Sequence, residues 1–192
     1  GQALNLVYSG ATTGWTPSSD IVNALEPAAP VTQKGIFAYG DSGSRVSISN
    51  LVSNSGVVAS DTSGVGTART LLSATTYGTD KAIFAYGFTG SNPGVSMSNL
   101  VSNSGVVASD VSGVGTARYA PAAATYGSSG QAIFAYGYTG SFVSMSNLVN
   151  SSGVIASDVS GVGTARYNLG ASKYGGDKAI FAYGYNGSNR SM

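Results

Sequence analysis

Three aspartates and three arginines recur along this chain at one fixed spacing of eight residues. The pairs are Asp61 with Arg69, Asp110 with Arg118, and Asp158 with Arg166. A planar guanidinium makes several directional hydrogen bonds. Each aspartate is therefore expected to pair with its arginine, or to cap the intervening turn while the arginine bridges to a neighbouring repeat. The alternative is a ring of charge that binds an anion or a glycan carboxylate, but Leu25 occupies the fourth arginine position. The structural role is favoured.

Catalytic chemistry has few candidates in this sequence. The chain contains no His and no Cys, which removes the usual general base, the strongest nucleophile and the His/Cys type of metal site. No two carboxylates that could act as a catalytic pair are close together in the sequence, although the fold could bring together two of Asp61, Asp110 and Asp158. We expect no enzymatic activity, no cofactor and no bound metal, and a catalytic module is only the third choice of function.

Aromatic side chains supply the other candidate contacts. Phe88, Tyr138 and Tyr185 each enter a polar turn containing Gly and Ser, where a ring at a loop rim can stack on the apolar face of a sugar. Asp41 occupies the fourth equivalent position, and Trp15, the only Trp, lies in a divergent stretch. These five positions are the candidate contacts with a ligand or partner, although packing between strands is the favoured role of the three rings.

Composition limits the class of protein and its partners. The chain has 192 residues, of which 42% are hydrophobic and 9% are charged, and its net charge is +1. This apolar content is enough for a core, so the abundant Gly indicates tight turns in an all-β protein rather than disorder. No Lys/Arg cluster is available to neutralise a phosphate backbone, and we expect no nucleic-acid binding. No apolar run approaches the ~18–20 residues of a membrane helix, so no membrane insertion is expected.

The motif Ile-Phe-Ala-Tyr-Gly, here called the IFAYG motif, organises the whole chain. Its four copies begin at Ile36, Ile83, Ile133 and Ile180, at separations of 47, 50 and 47 residues. Asn-Leu-Val and Gly-Thr-Ala-Arg motifs recur in register with it. A fixed period of this length indicates a repeat architecture. The tyrosines of the four motifs are expected to pack between neighbouring repeats: Tyr39, Tyr86, Tyr136 and Tyr183.

Each repeat predicts four short strands. In the best example they cover residues 119–126, 132–138, 142–149 and 154–158, and Gly/Ser turns separate them. No segment has the apolar period of a helix. Four strands in such a repeat match one blade of a β-propeller, and the alanine-rich first strand suits the crowded axis of a four-bladed ring. A β-solenoid is the competing fold.

The two ends of the chain complement each other. Residues 185–192 match 138–145, and residues 1–7 supply the expected continuation. The three separations total 144 residues, which leaves 48 of the 192 residues, one repeat, for the closing interval. We therefore expect a single all-β domain, residues 1–192, that forms a four-bladed propeller closed by its terminal strands. Repeats 1, 2 and 3 are residues 24–66, 67–115 and 116–163, and repeat 4 is the composite closing blade of residues 1–23 and 167–192.

The order of these motifs carries a family resemblance. An alanine-rich strand, then Ala-Ile-Phe-Ala-Tyr-Gly-Tyr-Thr-Gly-Ser, Ser-Asn-Leu-Val and Gly-Thr-Ala-Arg-Tyr, resembles the kelch repeat of β-propellers. Tyr136-Gly137 stands where kelch repeats have Gly-Gly, and the kelch Trp has no counterpart in the regular repeats. The near-identical repeats, rich in Gly, Ser and Thr, are also similar to repeats in structural, including tail-associated, proteins of tailed bacteriophages.

These resemblances imply a structural protein. The expected function is a non-enzymatic attachment module, located on a virion (a phage tail or capsid surface) or otherwise extracellular, that presents loops to other proteins or to a host surface. Its expected partners are virion or surface proteins, and its expected state is a homo-oligomer. The alternative is a lectin-like propeller that binds carbohydrate at several equivalent rim sites.

Overall fold

The computed structural model describes residues 6–8, 15–17 and 35–188 of the chain. Two compact units divide the sequence, residues 1–33 and residues 34–192. In the first unit, β1 (Leu6–Tyr8) pairs antiparallel with β2 (Trp15–Pro17). All regular elements in the described ranges are strands, so no helix found there could cross a membrane.

The second unit is a succession of small antiparallel sheets, one in each repeat. Repeat 1 contains β3 (Gly35–Asp41) and β4 (Arg45–Val52). Repeat 2 contains β5 (Ser73–Tyr77), β6 (Lys81–Ala85) and β7 (Ser98–Val101). Repeat 3 contains β8 (Ala122–Tyr126), β9 (Gln131–Tyr138) and β10 (Phe142–Val149). Repeat 4 contains β11 (Gly170–Tyr174) and β12 (Lys178–Ala182). The predicted all-β class is confirmed.

The IFAYG motif forms the central strand of the three-stranded sheets. β6 lies between β5 and β7, and β9 lies between β8 and β10. Its branched and aromatic residues suit a strand that is covered on both faces. The register is the same in both sheets, because Phe84 lies opposite Asn99 and Phe134 lies opposite Asn147. Each Asn-Leu-Val motif is therefore fixed against the central strand.

The fourth strand of the repeat is not a regular strand, which corrects the sequence prediction for residues 154–158. Ile155 meets Val149 of β10 only in an isolated bridge. The Asn147 side chain donates to the Ala156 carbonyl at 3.0 Å. A side-chain amide thus replaces part of the backbone ladder, as Ser-, Asn- and Asp-rich segments often allow.

The core lies between successive repeats. Tyr39 of repeat 1 contacts Phe84 of repeat 2 with ring centroids 5.4 Å apart, and Tyr86 contacts Phe134 of repeat 3 at 5.5 Å. Both contacts are edge-on, a favourable geometry for aromatic pairs. Since both rings of each pair come from IFAYG motifs, the motif builds its own sheet and also the interface with the next repeat.

The IFAYG motif is exposed in the first and last repeats. Phe37 of repeat 1 is 66% exposed and Tyr183 of repeat 4 is 62% exposed, whereas their counterparts Phe84 and Tyr86 are buried. These two rings are the unmatched halves of the contact that joins successive repeats. The described residues therefore leave one apolar ring open at each end of the series.

Replacing Val149 by Ala is expected to lower the free energy of unfolding by about 2 kcal/mol, because the side chain is fully buried and its loss leaves a cavity. Val154→Ala is the matched control, since Val154 of the same repeat is exposed and its truncation should cost less than about 0.5 kcal/mol. Urea unfolding followed by circular dichroism measures both. Equal costs would contradict the burial described for β10.

Candidate functional site

Two arginines of the Gly-Thr-Ala-Arg motif are fully buried and bind the sheet of their own repeat. Arg118 donates from Nε to the Tyr136 carbonyl at 2.9 Å, from Nη1 to the Thr116 carbonyl at 3.2 Å and from Nη2 to Asn147 Oδ1 at 2.7 Å. Arg69 makes the equivalent three bonds in repeat 2, at 2.9, 3.1 and 2.7 Å. Two neighbouring strands of repeat 3, β9 and β10, are therefore fixed to the Arg118 guanidinium.

The aspartates lie beside the arginine of their own repeat, which is not the arginine eight residues downstream. Asp110 is 3.8 Å from Arg69, both in repeat 2. Its carboxylate accepts from the Thr67 hydroxyl at 2.7 Å and from Asn99 at 2.9 Å. Asp158 of repeat 3 accepts from the Thr116 hydroxyl at 2.6 Å in the same way. The spacing of eight residues spans a repeat boundary, and the aspartates complete the hydrogen bonding around the arginines.

Hydrogen bonding sets the titration of these carboxylates. Burial alone would raise the pKa of Asp110, but hydrogen bonds from Thr67 and Asn99 and the charge of Arg69 lower it below its ordinary value. The pKa of Asp158 is lowered for the same reasons by Thr116, Asn147 and Arg118. Both carboxylates are therefore held in the charged form that the neighbouring guanidinium requires.

The buried guanidiniums also join each repeat to the preceding one. The Arg118 Cζ atom lies 3.9 Å from the centre of the Tyr86 ring, and Arg69 lies 4.2 Å from the Tyr39 ring. Burial raises the pKa of the Tyr86 phenol, and the charge of Arg118 offsets only part of this effect. A desolvated cation over an aromatic face contributes up to ~2 kcal/mol. These arginines have a structural role.

The charged cluster is incomplete in the outer repeats. Asp61 of repeat 1 accepts from Asn50 at 2.8 Å, and the arginine position of that repeat, Leu25, lies outside the described residues. Arg166 stacks on Tyr136 at 4.9 Å, but its buried Nε has no hydrogen-bond partner among the described residues. The complete arrangement is seen in repeats 2 and 3.

A continuous series of six aromatic rings, here called the aromatic ladder, extends across repeats 2 to 4. Its members are Phe88, Tyr119, Tyr138, Phe142, Tyr167 and Tyr185. Neighbouring ring centroids are 5.0 to 5.9 Å apart. Phe142 and Tyr167 are stacked with an interplanar angle of 16°, and the other pairs are tilted or edge-on. The ladder crosses two boundaries between repeats without interruption.

Backbone bridges next to the IFAYG motif position the ladder. Tyr119 and Tyr138 exchange two backbone hydrogen bonds of 3.0 and 2.9 Å, and Tyr167 and Tyr185 exchange two of 3.1 and 3.0 Å. Each bridge joins the residue after the arginine to the residue after the Tyr-Gly pair. That Gly is required, because at Gly137 φ is 120° and a Cβ atom would lie 3.0 Å from a backbone oxygen. The buried core thus determines where the rings emerge.

The ladder combines apolar faces with hydroxyl groups at the surface. Its rings are half-buried, and Tyr185 at the end is 38% exposed. Burial raises the pKa of Tyr119, and the adjacent phenols of Tyr138 and Tyr167 raise it further. The Arg45 guanidinium lies 5.1 Å from the centre of the Phe88 ring. The arrangement provides stacking surfaces, hydrogen-bonding hydroxyls and one cation at one end.

The structure brings three of the five predicted contact residues into this ladder: Phe88, Tyr138 and Tyr185. Asp41 accepts from the backbone of its own turn at 2.9 Å. Trp15 lies in β2 of the first unit, and its side chain is outside what the structure describes.

Sequence reasoning missed half of the ladder. The available signal was the Tyr that follows Thr-Ala-Arg, which is present as Tyr119 and Tyr167. Phe142 gave no repeated signal, because the corresponding position of repeat 2 contains Pro93-Gly94. Arg45 was missed as well, since it belongs to no recurrent charged motif.

No protein-family model matches the chain, and no curated protein matches it. Functional inference therefore rests on the residues themselves.

Replacing Asp158 by Asn is expected to destabilise the protein at neutral pH and to make its stability less dependent on pH. Because the folded-state pKa is lowered, the charged carboxylate contributes stability above its unfolded-state pKa of about 4, and this contribution is lost as the pH falls through the folded-state pKa. Chemical unfolding from neutral to acidic pH measures the difference.

The matched variant is Thr116→Val, which removes a hydroxyl donor but keeps the carboxylate. It should reduce the pH-dependent contribution of Asp158 without abolishing it. An Asp158→Asn variant with the full pH dependence of the parent chain would contradict the assigned hydrogen bonding.

Proposed function

We propose that this chain is a non-enzymatic attachment module, displayed on a virion as part of a phage tail or capsid surface or otherwise located outside the cell. The aromatic ladder is the observation that carries the proposal. A continuous apolar patch that is partly exposed at a protein surface usually marks a site of interaction. Aromatic rings beside hydroxyls are typical of interface centres, and the buried arginines provide a rigid support for them.

The scaffold that we propose is a kelch-like propeller of four blades, closed by the N-terminal residues in repeat 4. Phe37 and Tyr183 support closure, because together they would form a fourth copy of the Tyr–Phe contact seen between successive repeats. Burying two such rings stabilises a fold by roughly 1.5–3 kcal/mol each. Closure would also remove free sheet edges.

Arg166 supports the same closure. It is 7% exposed and stacks on Tyr136 as Arg69 and Arg118 stack on the tyrosine of their preceding repeat. In repeats 2 and 3 the equivalent arginine binds the Asn of the Asn-Leu-Val motif. The remaining copy of that motif is Asn5-Leu6-Val7. In those repeats the Asn accepts from Nη2, whereas Nε donates to the carbonyl of the motif tyrosine. Closure would therefore offer the N-terminal Asn to Nη2 of Arg166, a buried cation that is stable only when its donors are paired.

A disulfide cross-link tests the closure, and the absence of Cys from the chain makes the test clean. Leu100 lies opposite Ile83 in repeat 2, and the corresponding pair in repeat 4 is Leu6 with Ile180. A variant with Leu6→Cys and Ile180→Cys is expected to form an intramolecular disulfide under mild oxidation, because opposed strand residues have Cβ atoms within reach of such a bond.

The control combines Leu6→Cys with Lys173→Cys, a position on β11 that is separated from the proposed closing strand by β12. Non-reducing electrophoresis and mass spectrometry distinguish the products. Cross-links that form between chains, or equally in both variants, would contradict closure within one chain.

The attachment function is tested on purified phage particles. If the gene belongs to a phage, purified virions are expected to contain the chain, and antibodies against it should label the tail or capsid surface in electron micrographs. The purified chain should also bind host cells or other virion proteins as an oligomer, since several weak contacts give high avidity. Absence from virions, together with a monomer that binds neither cells nor virion proteins, would overturn the proposal.

A further inference from the structure

We propose that the aromatic ladder binds one extended chain of an uncharged polysaccharide, which lies across repeats 2, 3 and 4. This inference rests on the proposed attachment function and names the ligand class of that same surface. It differs from a lectin with equivalent sites, because the six rings form one surface rather than one site in each repeat.

The chemistry of the ladder fits sugar rings. Pyranose rings present an apolar C–H face that packs against aromatic faces, while their hydroxyls need hydrogen-bond partners at the edge. The centroid spacing of 5.0 to 5.9 Å is similar to the length of one pyranose unit. The Tyr138 ring lies 5.3 Å from that of Tyr119 and 5.7 Å from that of Tyr167, so hydroxyl donors and acceptors accompany the stacking surface.

Charge distinguishes a neutral polysaccharide from single-stranded nucleic acid, the other kind of polymer that stacks on aromatic rings. Proteins that bind single-stranded nucleic acid combine such rings with a positively charged groove. Within the described residues, Arg45 on Phe88 is the cation that the structure places against a ladder ring. The whole chain has nine basic and eight acidic residues. One guanidinium at one end cannot follow a phosphate backbone.

The repeats contribute unequally to the ladder, and this indicates a ligand that spans them. The bridge of repeat 2 contributes Phe88 opposite Thr70, while the bridges of repeats 3 and 4 each contribute two tyrosines. Phe142 contacts rings of both repeat 3 and repeat 4. A ligand as small as one sugar would meet a different site in each repeat, whereas a long chain uses all of them.

The test measures binding of cello- and chito-oligosaccharides to the full chain by calorimetry. Affinity is expected to rise by about tenfold or more from disaccharide to hexasaccharide, because a longer chain covers more of the ladder. Tyr138→Ala, at the centre of the ladder, should weaken hexasaccharide binding by about tenfold or more. Tyr185→Ala, at the exposed end, should weaken hexasaccharide binding by a smaller factor than Tyr138→Ala, and it carries little risk to folding.

Tyr174→Ala is the matched control, since Tyr174 is an exposed tyrosine outside the ladder, and it should bind like the parent chain.

Equal affinity for all chain lengths would overturn the single extended site in favour of separate sites. If cells or virions bind the protein while no oligosaccharide does, the polysaccharide inference fails and the attachment function stands. If the protein binds no cell, no virion protein and no oligosaccharide, both the attachment function and the polysaccharide inference are contradicted. Binding of a proline-rich peptide that Tyr138→Ala abolishes, without sugar binding, would assign the ladder to a protein partner.

Discussion

A buried, charged arginine is the constraint on which the rest of this structure depends. Arg69 and Arg118 are fully buried, and removing a guanidinium from water costs several kcal/mol unless its donors are paired. The fold meets that requirement with a backbone carbonyl of the IFAYG motif, a threonine carbonyl, an asparagine side chain and an aspartate. Each of these partners belongs to a different segment of the repeat, so satisfying one side chain fixes the whole sheet.

The same arginine explains why the few charged residues of this protein recur at equivalent positions in successive repeats. The guanidinium lies over the tyrosine ring of the preceding repeat, and that tyrosine has a positive φ of 63–65° in all four motifs. Such a conformation costs about 1–2 kcal/mol for a residue other than Gly. In the first three motifs the ring then contacts both the arginine and the phenylalanine of the next repeat. Strain in one residue is offset by contacts across the boundary.

The sequence predicted the parts of the fold that depend on local pattern. The branched and aromatic residues of the IFAYG motif predicted the central strand of repeat 3 at residues 132–138. The observed strand is Gln131–Tyr138, so the predicted start differs by one residue. The segment 154–158 was wrongly predicted as a strand, because its pairing depends on the distant Asn147 side chain. The partner of Asp110 could not be read from spacing either, since it is the arginine 41 residues earlier. Contacts between residues that are separated in the sequence need the folded backbone.

The aromatic ladder is a consequence of this framework rather than an independent feature. Its bridge residues directly follow the arginine or the Tyr-Gly pair, so the buried cluster determines where they reach the surface. The position of these residues is fixed, whereas the residue type differs between repeats. Repeat 1 has Asp41 and repeat 2 has Thr70 at positions where later repeats have tyrosines. The core is therefore nearly the same in repeats 2 and 3, whereas the surface changes from polar to aromatic along the described series. Equivalent repeats can in this way carry one continuous aromatic surface that has a direction.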